Sequence, residues 1–531
     1  MRPRHNVIDE TPVVPVRWHD DAAPNDATGE RPQTLHLRDT LLDAHHIDSL
    51  DVTQPPAHAA LLRILYALTA RVTGLDRLTG EAWAERRLDV LAQGRLSERA
   101  VDAYSHKYRD RFFLVDPDGG RPWMQDARLA SQCDSEKTAG VNKLIVTRSS
   151  GNNHAWFSHV SDARPDFPTV QEAVLNLLVW HYYGPSGRCS AREVNGIKSA
   201  SASAGPLRTA LSYHPIGESL FHTLLAGLVP PSVADRLDGD LCPWEWEELP
   251  DPDGPPVGAH GPCSRLTACS QHALLLVPHE SDTNRVADAY ITWAYRTGRG
   301  VRAPDDYLIW QVSKQGNTYP RPAAAGRALW RDVDALLLKE APGTAQPRQP
   351  RVFESAFEVS EYLRVRALGF DQDGQAKDRQ FVDASTPPLL GHVEERAPRT
   401  DPAVGRLRAL GELYGYRLDQ AVRRAWSAYT RDSKADAGRW RAEAAARYWP
   451  AAEREFWTRF RTLDRSGHAL DAGFDAAAAR RAFLRISGAA YETVTDRVTR
   501  TLRGAEAVAQ ARPLLVGGRR KTAPGSTNPP A

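Results

Sequence analysis

Residues 403–429 read AVGRLRALGELYGYRLDQAVRRAWSAY. Leu407, Leu410, Leu413, Tyr414 and Leu418 recur there at spacings of three and four with no proline, the period of one long amphipathic helix. A second helical pattern at 439–463 carries Trp440, Tyr448, Phe456, Trp457 and Phe460, and it contains Pro450, which is expected to kink or split it. A third pattern runs over 475–502, and 505–515 supplies a short fourth, with Gly438, Gly467 and Gly473 as punctuation. Helices in such close succession pack most economically as an antiparallel four-helix bundle. The bundle is placed at 396–515, followed by a tail at 516–531 that reads as disordered.

Residues 1–395 have another character. Helical stretches at 57–73 and 170–183 alternate with long Pro-, Gly- and Ser-bearing segments of little periodicity, notably 184–206 and 249–262, which are read as loops. Residues 362–381 read as a hairpin: Leu363, Val365 and Ala367 alternate ahead of Asp373-Gly374, a turn signal. The fold class is therefore α+β, a large irregular N-terminal domain followed by a C-terminal antiparallel four-helix bundle.

The 531 residues carry a net charge of only +2, but the charge is unevenly distributed. Residues 396–512 hold 23 Lys and Arg against 14 Asp and Glu, and Arg519, Arg520 and Lys521 follow. The first 395 residues are correspondingly acidic. A basic segment joined to an acidic one points to an anionic partner for the first and protein neighbours for the second; a solvated arginine-rich helix surface is the plain alternative.

No run approaches the roughly 20 apolar residues of a membrane span, and the first 18 residues lack the apolar core of a signal peptide, so a cytoplasmic protein with no membrane partner is expected. Cys133, Cys189, Cys242, Cys263 and Cys269 form no CxxC pair, which argues against a zinc ribbon or a disulfide framework. HExxH, GxxxxGK[ST] and GxSxG are absent from the sequence. No metal, no cofactor and no catalytic residue is expected, although an active site assembled from scattered positions would leave no motif.

Two segments have the chemistry of DNA contacts. Asn195-Gly196-Ile197-Lys198-Ser199 continues into small residues up to Gly205. Small residues let backbone approach a groove wall, and Lys198 can neutralise phosphate, which suits a minor groove; a plain surface loop is the alternative. The second is the hairpin tip with Gln375 and Ala376, where a projecting side chain can be inserted between base pairs at a cost of a few kcal/mol per unstacked step.

Taken together, five places resemble the CasA family, the large subunit of type I-E CRISPR surveillance complexes (Cascade). These are the opening Asn6-Val7-Ile8-Asp9-Glu10 with Pro12, Val13 and Pro15-Val16; Leu37-Arg38-Asp39-Thr40-Leu41; Phe113 and Asp116 leading to Pro122-Trp123-Met124-Gln125; Lys143-Leu144 through Asn153, Trp156 and Phe157; and Asn195 to Ser199, with Asn195 in place of one family glycine. Gln375-Ala376, after Leu368-Gly369-Phe370, falls where the family has a glutamine wedge.

The resemblance implies that Asn195, Gly196 and Lys198 lie in the minor groove of the protospacer-adjacent motif (PAM), and that Gln375 and Ala376 wedge below it. It further implies that Lys314 is a lysine finger, and that the loop with Lys143, Asn153, Trp156 and Phe157 docks toward the guide RNA. Implied partners are the other Cascade subunits, guide RNA, PAM-containing double-stranded DNA and a helicase-nuclease. The chain would recognise the motif, start unwinding and R-loop formation, and help recruit the nuclease for antiviral defence. A nucleic-acid-processing enzyme and a scaffold without DNA contact are the two rival readings.

Overall fold

The structure, a computed structural model, describes residues 5–20, 31–115, 120–150, 160–297, 305–337, 349–360, 362–373, 377–389, 403–463 and 474–517, the side chains of 373, 377, 378 and 403 excepted. The chain forms two compact units, Met1–Ala325 with Lys339–Glu395, and Gly326–Leu338 with Arg396–Ala531.

The first unit is built on helix α1, Pro55–Thr73, which starts with prolines at its first positions and stops at Gly74 in the left-handed conformation. Nearly every residue of α1 is buried, so it is a core helix rather than an amphipathic surface one. The buried Arg63 would be untenable alone; its guanidinium donates to both oxygens of Asp305 at 2.7 and 2.9 Å. Helix α2, Val170–Tyr183, packs on α1 and is capped by Thr169, whose Oγ1 accepts from the Glu172 amide at 3.1 Å.

Five small antiparallel sheets surround these helices among the described residues. Near the N-terminus β1 (Val14–Trp18) lies between β2 (Thr34–Leu35) and β3 (Ile47–Leu50). Next come the hairpin β4 (Gly187–Val194) and β5 (Ile197–Ala202), and strand β6 (Leu211–Ile216). The hairpin β7 (His272–Pro278) and β8 (Val286–Trp293) follows, then the short hairpin β9 (Trp310–Val312) and β10 (Thr318–Pro320). The long hairpin β11 (Arg364–Asp373) and β12 (Lys377–Ser385) joins β6 in the order β12-β11-β6.

The second unit is helical. Helices α3 (Ala403–Thr430), α4 (Gly438–Phe460), α5 (Ala476–Thr499) and α6 (Leu502–Ala511) correspond to the four periodic segments, and a final turn occupies Pro513–Val516. Helices α3 and α4 are antiparallel: Tyr448 donates to the Gly411 carbonyl at 2.6 Å, and Arg441 pairs with Asp419 at 2.5 Å further along.

Two expectations are corrected and a third, at Pro450, is narrowed. Residues 184–206 are not a loop, since β4 and β5 form a hairpin there. Pro450 does not split its helix: α4 runs through it, held by the fully buried Tyr448 and Phe456 on either side. Gly326–Leu338, read as part of the first domain, packs with the C-terminal helices: Trp330 stacks on Phe456 at 5.0 Å, Arg331 grips Glu412 at 2.6 and 3.0 Å, and Arg408 pairs with Asp334 at 2.6 Å. Among the described residues no helix is long and apolar enough to cross a membrane.

Candidate nucleic-acid interface

Asn195 and Gly196 are the two central residues of the β4–β5 turn, with Val194 paired to Ile197 and Glu193 to Lys198. Both have positive φ, 51° and 75°, the requirement of the type I′ turn whose twist suits a two-residue hairpin, and Asn-Gly is the pair that tolerates it best. At the tip Asn195, Gly196 and Lys198 are exposed, and Ile197 is 58% exposed despite its apolar side chain.

The hairpin is anchored from beneath. Trp293 packs against Val194, Ala202 and Cys189 and donates its indole N–H to the Ser199 carbonyl at 3.0 Å. Arg192 is fully buried; it reaches Asp126 and Gln132, both at 2.8 Å, and the Trp293 carbonyl at 3.1 Å. Just below the turn Arg296 donates to the carbonyls of Val194 (2.8 Å) and Ile197 (3.2 Å) and pairs with Asp253 at 2.5 Å. Asp253 in turn accepts from the Asn195 amide at 2.7 Å. The Asn195 side chain is thus engaged within the protein, and what the tip offers outward is backbone, Gly196, Ile197 and Lys198.

Lys314 sits at the exposed tip of the β9–β10 hairpin, whose turn is closed by the Ser313 hydroxyl accepting from the amides of Gln315 (3.3 Å) and Asn317 (3.1 Å). Gln375 and Ala376 lie outside the described residues, between the paired ends of β11 and β12.

Strand β6 relates these last two hairpins. Along one edge it pairs with β11, from Arg364 opposite Ile216 to Gly369 opposite Leu211. Along the other, Tyr213 donates to the Tyr307 carbonyl (2.8 Å), Leu211 donates to the Arg321 carbonyl (3.1 Å), and Ser212 bridges to Leu308 in antiparallel sense. β11 runs antiparallel to β6, so its hairpin projects beyond the Leu211 end, whereas the β9–β10 hairpin leaves the other edge after Ile309 and the chain returns at Pro322 to pair opposite Ala210. Residues 370–373 alone carry β11 about 13 Å past that point at roughly 3.3 Å per residue. The Asp371 carboxylate accepts from the Ala325 amide at 2.9 Å, which ties the flanks of the two hairpins together.

Lys143 belongs to the helical turn Val141–Leu144 and is half-buried; burial pushes its pKa below the ordinary lysine value. Asn153, Trp156 and Phe157 lie outside the described residues. Sequence reasoning missed Arg296, Asp253, Arg192 and Trp293, which hold the first tip in place; Arg296 is 99 residues from Ile197, and no local pattern links them.

The five cysteines are free thiols, with Cys242 and Cys263 buried. Asp76, Asp240 and Cys263 approach one another closely among the described residues. Arg71 already occupies that position as the cation, donating to Asp76 and to the Asp240 carbonyl, and the Asp240 carboxylate accepts the amides of Cys263 (3.1 Å) and Ser264 (2.6 Å).

Residues 10–490 match the family described as CRISPR-associated protein Cse1. A CRISPR-associated protein CasA/Cse1 of Thermus thermophilus is 26% identical over 406 residues, 75% of this chain and 69% of that protein. A solved chain described as a CRISPR RNA-guided surveillance complex is 37% identical with a TM-score of 0.81, covering 96% of this chain and 99% of that one. The crystal structure of Thermobifida fusca Cse1 shares the fold, with a TM-score of 0.71 at 19% identity over 97% of this chain and 98% of that one. The chain belongs to the Cse1 (CasA) family of CRISPR-associated proteins, the type I-E family that its sequence resembles.

Proposed function

We propose that the chain is the non-catalytic large subunit of a type I-E RNA-guided surveillance complex, and that it recognises the PAM of double-stranded DNA and starts its unwinding. The observation that carries the reading is the clamped β4–β5 tip, which presents Gly196 and Lys198 on an ordered backbone. A turn whose central Gly196 carries no side chain suits a minor groove, where base identity is poorly encoded and shape matters more. Lys198 and Lys314 supply phosphate contacts, which contribute salt-dependent affinity rather than sequence choice.

Gln375 and Ala376, which lie between β11 and β12 in the sequence, are the wedge in this reading. Unstacking one step costs a few kcal/mol, offset by contacts made with the opened DNA. Guide RNA then reads the remaining sequence by base pairing, the division of labour seen in another RNA-guided effector. The basic helical unit holds separated DNA, the loop with Lys143, Asn153, Trp156 and Phe157 faces guide RNA, and the subunit helps recruit a helicase-nuclease in the cytoplasm.

The test is the duplex affinity of the guide-RNA complex with and without this chain, on targets with intact and scrambled PAM. Discrimination is expected only in the complete complex. Discrimination that survives removal of the chain refutes the reading, and metal-dependent cleavage by the purified chain favours the enzyme instead.

A further inference from the structure

The segment Pro122-Trp123-Met124-Gln125 lines a cleft that none of the three hairpin tips uses. Its empty volume is about 770 Å³, open solvent included, and Trp123, Trp246, Leu249 and Tyr295 contribute its apolar faces. Its charged lining is Arg111, Arg121, Arg128 and Asp126.

Asp126 is already committed. It accepts from Arg128 at 2.8 and 2.9 Å and from the buried Arg192 at 2.8 Å. Arg121 donates from one nitrogen, Nη1, to the carbonyls of Trp246 and Glu247, both at 2.5 Å, and its buried Nε has no hydrogen-bond partner among the described residues. Among the described residues neither Arg111 nor Arg121 has a carboxylate partner. The crowding is felt at Arg121, whose pKa is lowered by burial first and then by Arg111 and Arg128. His181 and His272, also in the lining, are held neutral by burial, both pushed down to about 4.

Among the described residues, then, two guanidinium groups without a carboxylate partner stand beside aromatic faces in one concave site. An apolar partner would cover the arginines without pairing them, which is costly. A bare phosphate would pair the arginines and leave the aromatic faces unused. A nucleotide satisfies both demands, with charge-assisted hydrogen bonds to its phosphate and stacking on its base.

We propose that this cleft binds one unstacked nucleotide of a single-stranded nucleic acid, its base against Trp246 and Tyr295 and its phosphate at Arg111 and Arg121. The site involves no residue of the hairpin tips and needs a single strand, so it stands or falls separately from PAM recognition. Guide RNA and a separated DNA strand share this chemistry.

The experiment uses the full chain and fluorescent RNA and DNA pentamers of one sequence, each with an intact or abasic central position, followed by anisotropy. Saturable binding of at least one intact pentamer is expected, and preference for RNA or for DNA identifies the source. Trp246→Ala and the abasic probe should each weaken it tenfold or more, and together no more than either alone, because both remove the same stack. Arg111→Ala, which breaks no side-chain hydrogen bond or ion pair among the described residues, should weaken binding and flatten its salt dependence, whereas Lys198→Ala should leave it unchanged. Absence of saturable binding overturns the proposal. So does affinity that is indifferent to both the abasic position and Arg111→Ala, a result that stands even if Trp246→Ala fails to fold.

Discussion

Replacing Arg296 with methionine keeps the aliphatic stem and removes the clamp under the β4–β5 turn. The loss comprises two charged hydrogen bonds to the Val194 and Ile197 carbonyls and one ion pair to Asp253. A hydrogen bond to a charged group contributes about 1.5–3 kcal/mol when well buried. The Arg296 and Asp253 side chains are 20% and 24% exposed, so water replaces part of each interaction. About 2–3 kcal/mol of local stability is a reasonable sum after that discount. At 1.4 kcal/mol per decade, the tip should open about 30- to 150-fold more often.

Native-state hydrogen exchange reads this directly. The amides of Val194 and Ile197 should lose protection by that factor, while those of β6 keep theirs. A change below threefold at the tip would refute the clamp, and an equal change in β6 would mean that the variant is globally destabilised instead. Affinity for a PAM duplex should fall only once the disordered tip becomes a substantial population, because apparent affinity scales with the competent fraction.

Gly196→Ala introduces a Cβ that meets nothing within 4 Å, so its cost is backbone strain alone, about 1–2 kcal/mol at a left-handed φ. Urea unfolding should shift by no more than that, and PAM-duplex affinity should fall more than tenfold if the backbone approaches a groove wall. Lys198→Ala should weaken binding to all duplexes alike and reduce the salt slope by about one, whereas an unchanged slope means that the ammonium is merely solvated. Gly411→Ala places a Cβ 2.5 Å from the Trp330 ring and should destabilise the helical unit by about 1–3 kcal/mol, visible in calorimetry as a lower transition for that unit alone. His181 and His272 are neutral in the fold, with pKa values near 4 against about 6.5 when unfolded, so the unfolded chain binds more protons between those values. Their stabilisation is complete above pH 6.5 and is lost as pH falls toward 4, at most about 2 kcal/mol each by pH 5; a urea midpoint that stays flat from pH 7.5 to 5 contradicts this.

What was legible in the sequence follows from the range of the interactions. The helices of the second unit announce themselves because their apolar residues repeat every three or four positions, a local signal. Residues 187–202 escaped notice because strand alternation is weak among Ser, Ala and Arg, although Asn195-Gly196 is as good a turn signal as the Asp373-Gly374 that was recognised. The attachment of Gly326–Leu338 to the helices depends on Trp330 meeting Phe456, more than a hundred residues away, and no window reveals that. The same holds at the candidate interface. Composition and resemblance indicated Asn195, Gly196 and Lys198, but the arginine and aspartate that fix them come from distant loops.

Both edges of β6 are occupied by the roots of hairpins, and this constrains how the proposed recognition surface can change over evolution. An insertion of one residue in either arm reverses which face every later side chain occupies, whereas a pair inserted in each arm preserves the faces and moves the tip outward by about 7 Å. Reach is therefore adjustable only in coarse steps. Under the proposed function, variation in the DNA motif should accumulate as exchanges of tip residues or as whole-pleat extensions, with the six residues of β6 left nearly untouched between them.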